Sequence, residues 1–258
     1  MTEPSSAPTL TIEHGLATIR LNRPRHHNRL EPADIPALDA LLDRIAHDPT
    51  ARVAVLRATG KSFCAGYDLA DLGKPMTDGV EEAGIGSLAA VIDRLEQCRL
   101  PIICALNGPV FGGGTDLALA CDFRLGVAGI RMLMPAAKFG LHYYHSGMRR
   151  YVARLGLGPA KRLFLLGEPI DAEEMLRIGY LDEILPDQAA LEARVAAMAE
   201  ILLQAASAPV IESMKRALNR IAAGDMDPTE ADAAWRATRR SPAVGAAVAA
   251  ARASGSRH

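Results

Sequence analysis

The sequence predicts one α/β domain followed by a helical C-terminal region. Three observations point there. Short apolar runs suited to buried strands alternate with amphipathic helical patterns through the first half of the chain. From Pro159 onward the periodicity is almost wholly helical. No Pro/Gly/Ser-rich stretch divides the 258 residues, and no exact repeat is visible.

The elements follow in order. Met1 to Pro8 is rich in Pro and Ser and has neither the basic nor the apolar part of a signal peptide, so residues 1–8 read as a frayed tail. Leu10–Glu13 and Leu16–Leu21 read as strands joined by a His14-Gly15 hairpin turn. Asn22-Arg23-Pro24 ends the second. Pro32–His47 carries Ile35, Leu38, Leu41, Leu42 and Ile45 at helical spacing. Val53–Ala58 suits a buried strand, and Gly60–Gly73 a loop. Ser87–Cys98 is again amphipathic, with Leu88, Val91, Ile92 and Leu95 on one face. Pro101–Leu106 is a second buried strand, broken by Asn107-Gly108-Pro109. A glycine triplet then opens a helix over Thr115–Cys121, and Phe123–Val127 returns to strand. Met132–Tyr151 is irregular and rich in His and Tyr, with a new helix near Gly147. Helices are expected over Pro159–Leu166, Asp171–Ile178, Leu191–Ala206 and Pro209–Ala223, then from Asp227-Pro228 and from Pro242. Residues 9–200 therefore form the core. Residues 201–258 form a helical region that packs on it or on a neighbouring subunit.

Composition excludes several classes. Hydrophobic residues make up 49% but aromatics only 4%, so Ala, Leu, Val and Ile must build the core. The formal net charge is -1 with no block of like charges, which gives no nucleic-acid footprint. No apolar run approaches the ~20 residues that span a membrane. The four cysteines form no CxxC pair and read as buried free thiols of an intracellular protein, with the cytoplasm as the expected compartment.

Chemistry concentrates in two glycine-containing turns, each after a buried strand. They are Ser62-Phe63-Cys64-Ala65-Gly66-Tyr67-Asp68-Leu69 and Asn107-Gly108-Pro109-Val110-Phe111-Gly112-Gly113-Gly114-Thr115-Asp116. Glycine lets backbone N–H groups approach a ligand closely, and the second turn opens a helix whose free N–H groups favour an anion. One N–H from each turn would make an oxyanion hole. A tight packing turn explains the glycines equally well.

These two turns resemble the crotonase (enoyl-CoA hydratase/isomerase) superfamily. Asn22-Arg23-Pro24, Cys121-Asp122, Leu166-Gly167-Glu168-Pro169-Ile170 and Gly179-Tyr180-Leu181-Asp182-Glu183-Ile184 add to the resemblance in order and spacing, over about residues 10 to 220. It implies a crotonase-like spiral of ββα units with a C-terminal helical trimerisation region. It implies an acyl-CoA substrate, no separate cofactor or metal, and a homotrimer or a hexamer made of two trimers. The oxyanion hole it implies is formed by the Ala65 and Gly113 N–H groups. Arg23, Arg25, Asp68 and Leu69 fall where the family holds coenzyme A.

The acid/base set departs from the family. Asp116 stands where hydratases place their first catalytic glutamate, one methylene shorter, and as a carboxylate near a helix start it also suits capping. The second glutamate is absent: Ala136 follows Pro135 at that position, and alanine moves no proton. His142, Tyr143, Tyr144 and His145 lie close by. Of these, His142, Tyr143 and His145 join Asp116 as candidate catalytic residues. Lid packing or a subunit contact is the alternative for the cluster. Gly140-Leu141-His142-Tyr143 also resembles the matching segment of decarboxylases of the methylmalonyl-CoA type within the superfamily. Three functions are carried forward: an enoyl-CoA hydratase or isomerase with a non-standard acid/base set, such a decarboxylase, and a non-catalytic acyl-CoA binder.

Overall fold

The computed structural model describes residues 7–72, 85–205 and 207–255. Most of the tail expected over residues 1–8, and the last residue of the loop expected over Gly60–Gly73, lie outside them. Strands β1 (Thr9–Glu13), β2 (Leu16–Leu21), β3 (Val53–Ala58), β4 (Ile102–Leu106), β6 (Phe123–Val127) and β9 (Glu183–Leu185) form one sheet in the order β1-β2-β3-β4-β6-β9. The hairpin pair β1–β2 is antiparallel and every other pair is parallel. His14 and Gly15 both have positive φ, the backbone a two-residue hairpin turn demands. A second, small sheet runs β5 (Val110–Phe111), β7 (Arg131–Leu133), β8 (Ile170–Asp171), and a bridge from Cys64 to Val110 extends it.

The large sheet is covered on both faces, which is why β4 is apolar throughout and β3 is apolar but for Arg57, rather than alternating. On one face, α1 (Asp34–His47) and α3 (Ile85–Gln97) present Leu38, Leu42, Ile45, Leu88 and Ile92 to Ile19, Leu56 and Cys104. On the other, Leu191, Val195 and Ala199 of α8 (Gln188–Leu203) close over Val53, Val55, Ile103 and Leu125. Successive strand–strand–helix units advance along the sheet: β1, β2 and α1, then β4, β5 and α4 (Gly113–Leu119), then β6, β7 and α5 (His145–Leu155). Cys64, Cys104 and Cys121 are buried and free, and burial pushes the Cys64 thiol up to about 12. They are packing residues rather than nucleophiles.

Several segments differ from the sequence reading: α2 (Leu69–Leu72) lies in the expected loop, and β8 and β9 lie where only helices were expected. The stretch expected to be irregular contains β7, a tight turn over Ala136–Phe139 and most of α5, because its apolar residues find partners far away in sequence. The single helix expected over Pro159–Leu166 is α6 (Leu157–Lys161) running into a widened turn at Arg162–Leu166, stopped at Gly167 with φ +56. Four shorter or C-terminal helices complete the described chain: α7 (Ala172–Arg177), α9 (Ala208–Ala223), α10 (Pro228–Arg239) and α11 (Pro242–Gly255). The short turn α2 (Leu69–Leu72) leads out of the first glycine loop.

Candidate active site

The two glycine turns meet backbone to backbone. Phe63 N–H donates to Pro109 at 3.0 Å, and Phe111 N–H donates to Cys64 at 2.9 Å. Gly66 has φ +89, and a Cβ there would stand 2.8 Å from the Phe111 carbonyl oxygen. A Cβ on Gly114 would stand 2.7 Å from the Cys64 side chain. Both positions therefore require glycine for the turns to close on each other.

That closure decides which N–H groups are free. The Ala65 N–H donates to the His27 carbonyl at 2.9 Å, so it is not available to a ligand, which corrects the expectation for Ala65. The Tyr67 and Gly113 N–H groups make no hydrogen bond among the described residues. They are neighbours: a Cβ on Gly113 would lie 3.8 Å from the Tyr67 nitrogen. Gly113 is the first residue of α4, where a backbone N–H has no partner within the helix.

Both residues border a cavity of about 280 Å³. Its wall is mainly apolar, with Leu88, Phe111, Met134, Ala136 and Phe139, and contains no charged side chain among the described residues. Ala136 sits in this wall, so the missing second carboxylate is missing from the cavity itself. Asp116 is fully buried and does not line the cavity, which corrects the expectation that its side chain reaches a ligand directly.

Instead two tyrosines connect them. The buried Tyr143 lines the cavity, and its hydroxyl donates to the Tyr144 hydroxyl at 3.1 Å. Tyr144 donates to Asp116 Oδ2 at 2.5 Å. The rings stack with centroids 4.2 Å apart, braced by Phe164. Asp116 Oδ1 accepts no hydrogen bond among the described residues and faces Arg150 Nη1 at 3.6 Å. Arg150 is itself fully buried and pairs with Asp93 at 2.6 Å and Glu96 at 3.4 Å.

Burial raises the Asp116 pKa above the ordinary carboxylate range, against the opposing pull of Arg150 and of the Tyr144 hydrogen bond. Burial, then the nearby Asp116 charge, pushes both tyrosine hydroxyls well up, so they carry protons at neutral pH. The arrangement is a hydrogen-bonded path of two neutral phenols ending on a carboxylate. Tyr144 was not among the residues the sequence singled out for chemistry. The signal for it was its place in the His/Tyr cluster, but its partner Asp116 is 28 positions away.

The histidines do not join this path. Along the extended segment before α5, Leu141 and Tyr143 turn into the cavity and His142 turns out to solvent. His145 is exposed at the first position of α5. Both expectations of a histidine acid or base at the site are corrected.

Of the residues expected near coenzyme A, only Leu69 lines the cavity, and it is 56% exposed, which leaves it able to meet a ligand. Asp68 is held by the Ala70 N–H at 3.0 Å and faces Arg29 at 3.6 Å. Arg25 is exposed on the turn Pro24–His26. Arg23 is engaged internally, with Asp34 at 2.9 Å and Glu31 at 3.1 Å, so it does not stand free.

Gly147, in the first turn of α5, is what lets the tyrosine pair sit so close. A Cβ there would stand 2.5 Å from Tyr143 Cε1 and 2.8 Å from Tyr144 Cε2. Gly147→Ala is expected to displace both rings and lower turnover by more than about tenfold, while unfolding free energy falls by about 1–3 kcal/mol. Steady-state kinetics beside urea denaturation would check it. Unchanged kcat would show that the ring positions are unimportant.

The site is thus a pair of neighbouring backbone N–H groups, Tyr67 and Gly113, at the edge of an apolar cavity. Residues 11–239 match the family model for enoyl-CoA hydratase/isomerase. The short-chain-enoyl-CoA hydratase of Clostridium acetobutylicum is 30% identical over 84% of this chain and 83% of its own length. A solved enoyl-CoA hydratase/isomerase family member superposes with a TM-score of 0.85 at 27% identity, covering 95% of this chain and 93% of that one. A solved protein of the same family from Hyphomonas neptunium gives 0.82 at 28% identity, over 90% and 88%. The chain belongs to the enoyl-CoA hydratase/isomerase family and has the crotonase fold.

Proposed function

We propose that the chain is an acyl-CoA hydratase or isomerase in which Asp116 acts on the substrate through Tyr144 and Tyr143 rather than directly. The observation that carries this reading is the hydrogen-bonded path from the cavity wall to the buried Asp116 carboxylate, in a cavity with no charged side chain among its described residues. The Tyr67 and Gly113 N–H groups hold the thioester oxygen and take up its negative charge as the enolate forms.

In hydration, water adds to the β-carbon of the enoyl thioester. Its proton passes to the Tyr143 oxygen as the Tyr143 proton moves to Tyr144 and that of Tyr144 to Asp116. The reverse transfer then protonates the α-carbon. In isomerisation, the same path removes a proton from one carbon and returns it to another. Either way one carboxylate both accepts and releases the proton, so no second glutamate is needed. The raised Asp116 pKa suits this role, since the group must hold the proton between the two transfers.

The apolar wall at Ala136 favours a second reading, decarboxylation of a malonyl-type thioester, because no described carboxylate there repels the carboxylate of the substrate. Carbon dioxide leaves with the enolate held at Tyr67 and Gly113, and Tyr143 protonates the α-carbon as it regains a proton from a protonated Asp116 through Tyr144. Mass-spectrometric turnover on enoyl-, malonyl- and methylmalonyl-CoA separates the two. Water gained by an enoyl ester, or its positional isomerisation by chromatography, supports the first. Loss of carbon dioxide selects the second. Binding without any product would return the chain to a non-catalytic acyl-CoA binder.

The pH dependence follows with a defined sign. The path accepts a proton only while Asp116 is ionised, so kcat/KM for an enoyl ester is expected to rise with pH through a pKa above the ordinary carboxylate range. Asp116→Asn should abolish that limb along with most of the activity. A limb that survives in the variant would assign it to another group.

Assembly as a homotrimer, or as two trimers, belongs to the same proposal. It is supported by the exposed Trp235, Val244 and Val248 on α10 and α11. Light scattering of the purified chain measures it, and a monomeric mass would remove the trimerisation role of residues 201–258.

A further inference from the structure

Gly112, Gly113 and Gly114 have no side chains, so nothing local fixes the peptide planes that set the direction of the Gly113 N–H. Those planes are held from outside. The Gly112 N–H donates to the Leu133 carbonyl at 2.9 Å. The Gly112 carbonyl accepts twice from one residue, from the Thr115 N–H at 2.9 Å and from the Thr115 hydroxyl at 2.5 Å. The Gly112 C=O and the Gly113 N–H belong to one planar trans peptide group and point in opposite directions. Whatever holds the first therefore aims the second.

Thr115 is itself fixed. It is fully buried, and its carbonyl accepts from the buried Tyr180 hydroxyl at 2.9 Å. The Tyr151 hydroxyl, also buried, bonds to Thr115 Oγ1. The single hydroxyl proton of Thr115 goes to Gly112, so Tyr151 is the donor in that contact. Burial, then the Asp116 charge, pushes the Tyr151 pKa well up, so the phenol keeps its proton. Tyr151 lies on α5 and is braced edge-on by Phe164, with centroids 4.8 Å apart. The bonds run in one sense, from Tyr151 to Thr115 to the Gly112 carbonyl, whose peptide ends in the Gly113 N–H. Each bond in such a chain polarises the next, which strengthens the last donor. Packing alone asks for none of this. Valine at 115 and phenylalanine at 151 would fill the same space with no polar atom to satisfy in the core.

We infer that Thr115 and Tyr151 are positioning residues for the reaction: their hydroxyls set the direction and strength of the Gly113 N–H, and so its hold on the thioester oxygen. The inference rests on the reading that the Tyr67 and Gly113 N–H groups bind that oxygen. Neither side chain lines the cavity, so both act through the peptide rather than on the ligand.

The direct readout is the isotope-edited infrared carbonyl stretch of butyryl-CoA labelled at the thioester carbon. This saturated ester is neither hydrated nor decarboxylated. A carbonyl that accepts stronger hydrogen bonds absorbs at lower wavenumber. Binding to the wild type is expected to lower the stretch below its value in water. Thr115→Val should lose much of that shift, and Thr115→Ser should keep it. Tyr151→Phe should lose less than Thr115→Val, since Thr115 still holds Gly112. With the ester that the turnover panel identifies, kcat of Thr115→Val should fall roughly 10- to 100-fold at nearly unchanged KM, less than the ~100- to 1,000-fold for outright loss of an oxyanion donor. Thr115→Ser should restore it. The double variant Thr115→Val/Tyr151→Phe leaves neither hydroxyl orphaned, so it takes the place of Thr115→Val if that chain fails to fold, and it too should lose the shift. A merely structural role would lower the melting temperature and leave the carbonyl shift alone. A wild-type shift that persists in Thr115→Val or in the double variant would overturn the inference while leaving the Tyr67 and Gly113 reading in place. No shift in the wild type would overturn both.

Discussion

Tyr143→Phe is expected to lower kcat by roughly 100- to 10,000-fold, the range for loss of a positioned acid/base group, with KM nearly unchanged. The substitution removes one oxygen and leaves the ring stacked on Tyr144 and against Phe164. It cuts the path at its cavity end while Asp116, Arg150 and the free N–H pair stay in place. Tyr144→Phe should produce a loss of the same order, because it cuts the same path in the middle. The double variant should then be no worse than either single one, since residues acting as a unit are non-additive. Multiplying losses would mean that the two hydroxyls act separately. Full activity in Tyr143→Phe would remove the relay from the mechanism. The measurement is steady-state kinetics with the ester that the turnover panel identifies.

Arg150→Met is expected to destabilise the chain by about 3–5 kcal/mol, the cost of leaving buried charge uncompensated. Arg150 is fully buried and its guanidinium faces Asp93, Glu96 and Asp116. Methionine keeps much of the length but none of the charge. The sign of the pH effect follows from Asp116. Its pKa in the folded chain is already raised by burial, and losing Arg150 removes the first-named force opposing that rise. The folded state then holds the proton more tightly than the unfolded chain does. The Asp116 share of the destabilisation is absent below the unfolded carboxylate pKa and is complete once pH exceeds the raised folded value. Urea midpoints of wild type and variant should therefore converge on acidification from neutral pH. A gap that is constant with pH would mean that Arg150 acts through packing alone.

The strands and helices of the first half were readable because their apolar residues repeat at the spacing of the element that buries them. Val53–Ala58 has the same limits in sequence and structure, since a strand covered on both faces is an apolar run, broken here only at Arg57. The stretch 132–151 was not readable. Met132 pairs with Val110 and Ile170, and Tyr151 packs on Phe164, so its order comes from contacts that local periodicity does not record.

By itself the sequence determined the α/β class, the family, the two glycine turns and the alanine at position 136, and it drew attention to the His/Tyr segment. Each is a matter of residue type and spacing along the chain. Only the tertiary structure decided which groups face the cavity. The Ala65 N–H is occupied because His27 lies beside it, which leaves Tyr67 to pair with Gly113. Asp116 is joined to the cavity through Tyr144 and Tyr143 because the segment before α5 lays the pair between the carboxylate and the cavity, while both histidines turn to water. Hydrogen-bond partners and side-chain direction depend on distances between residues far apart in sequence, and only folding sets those distances.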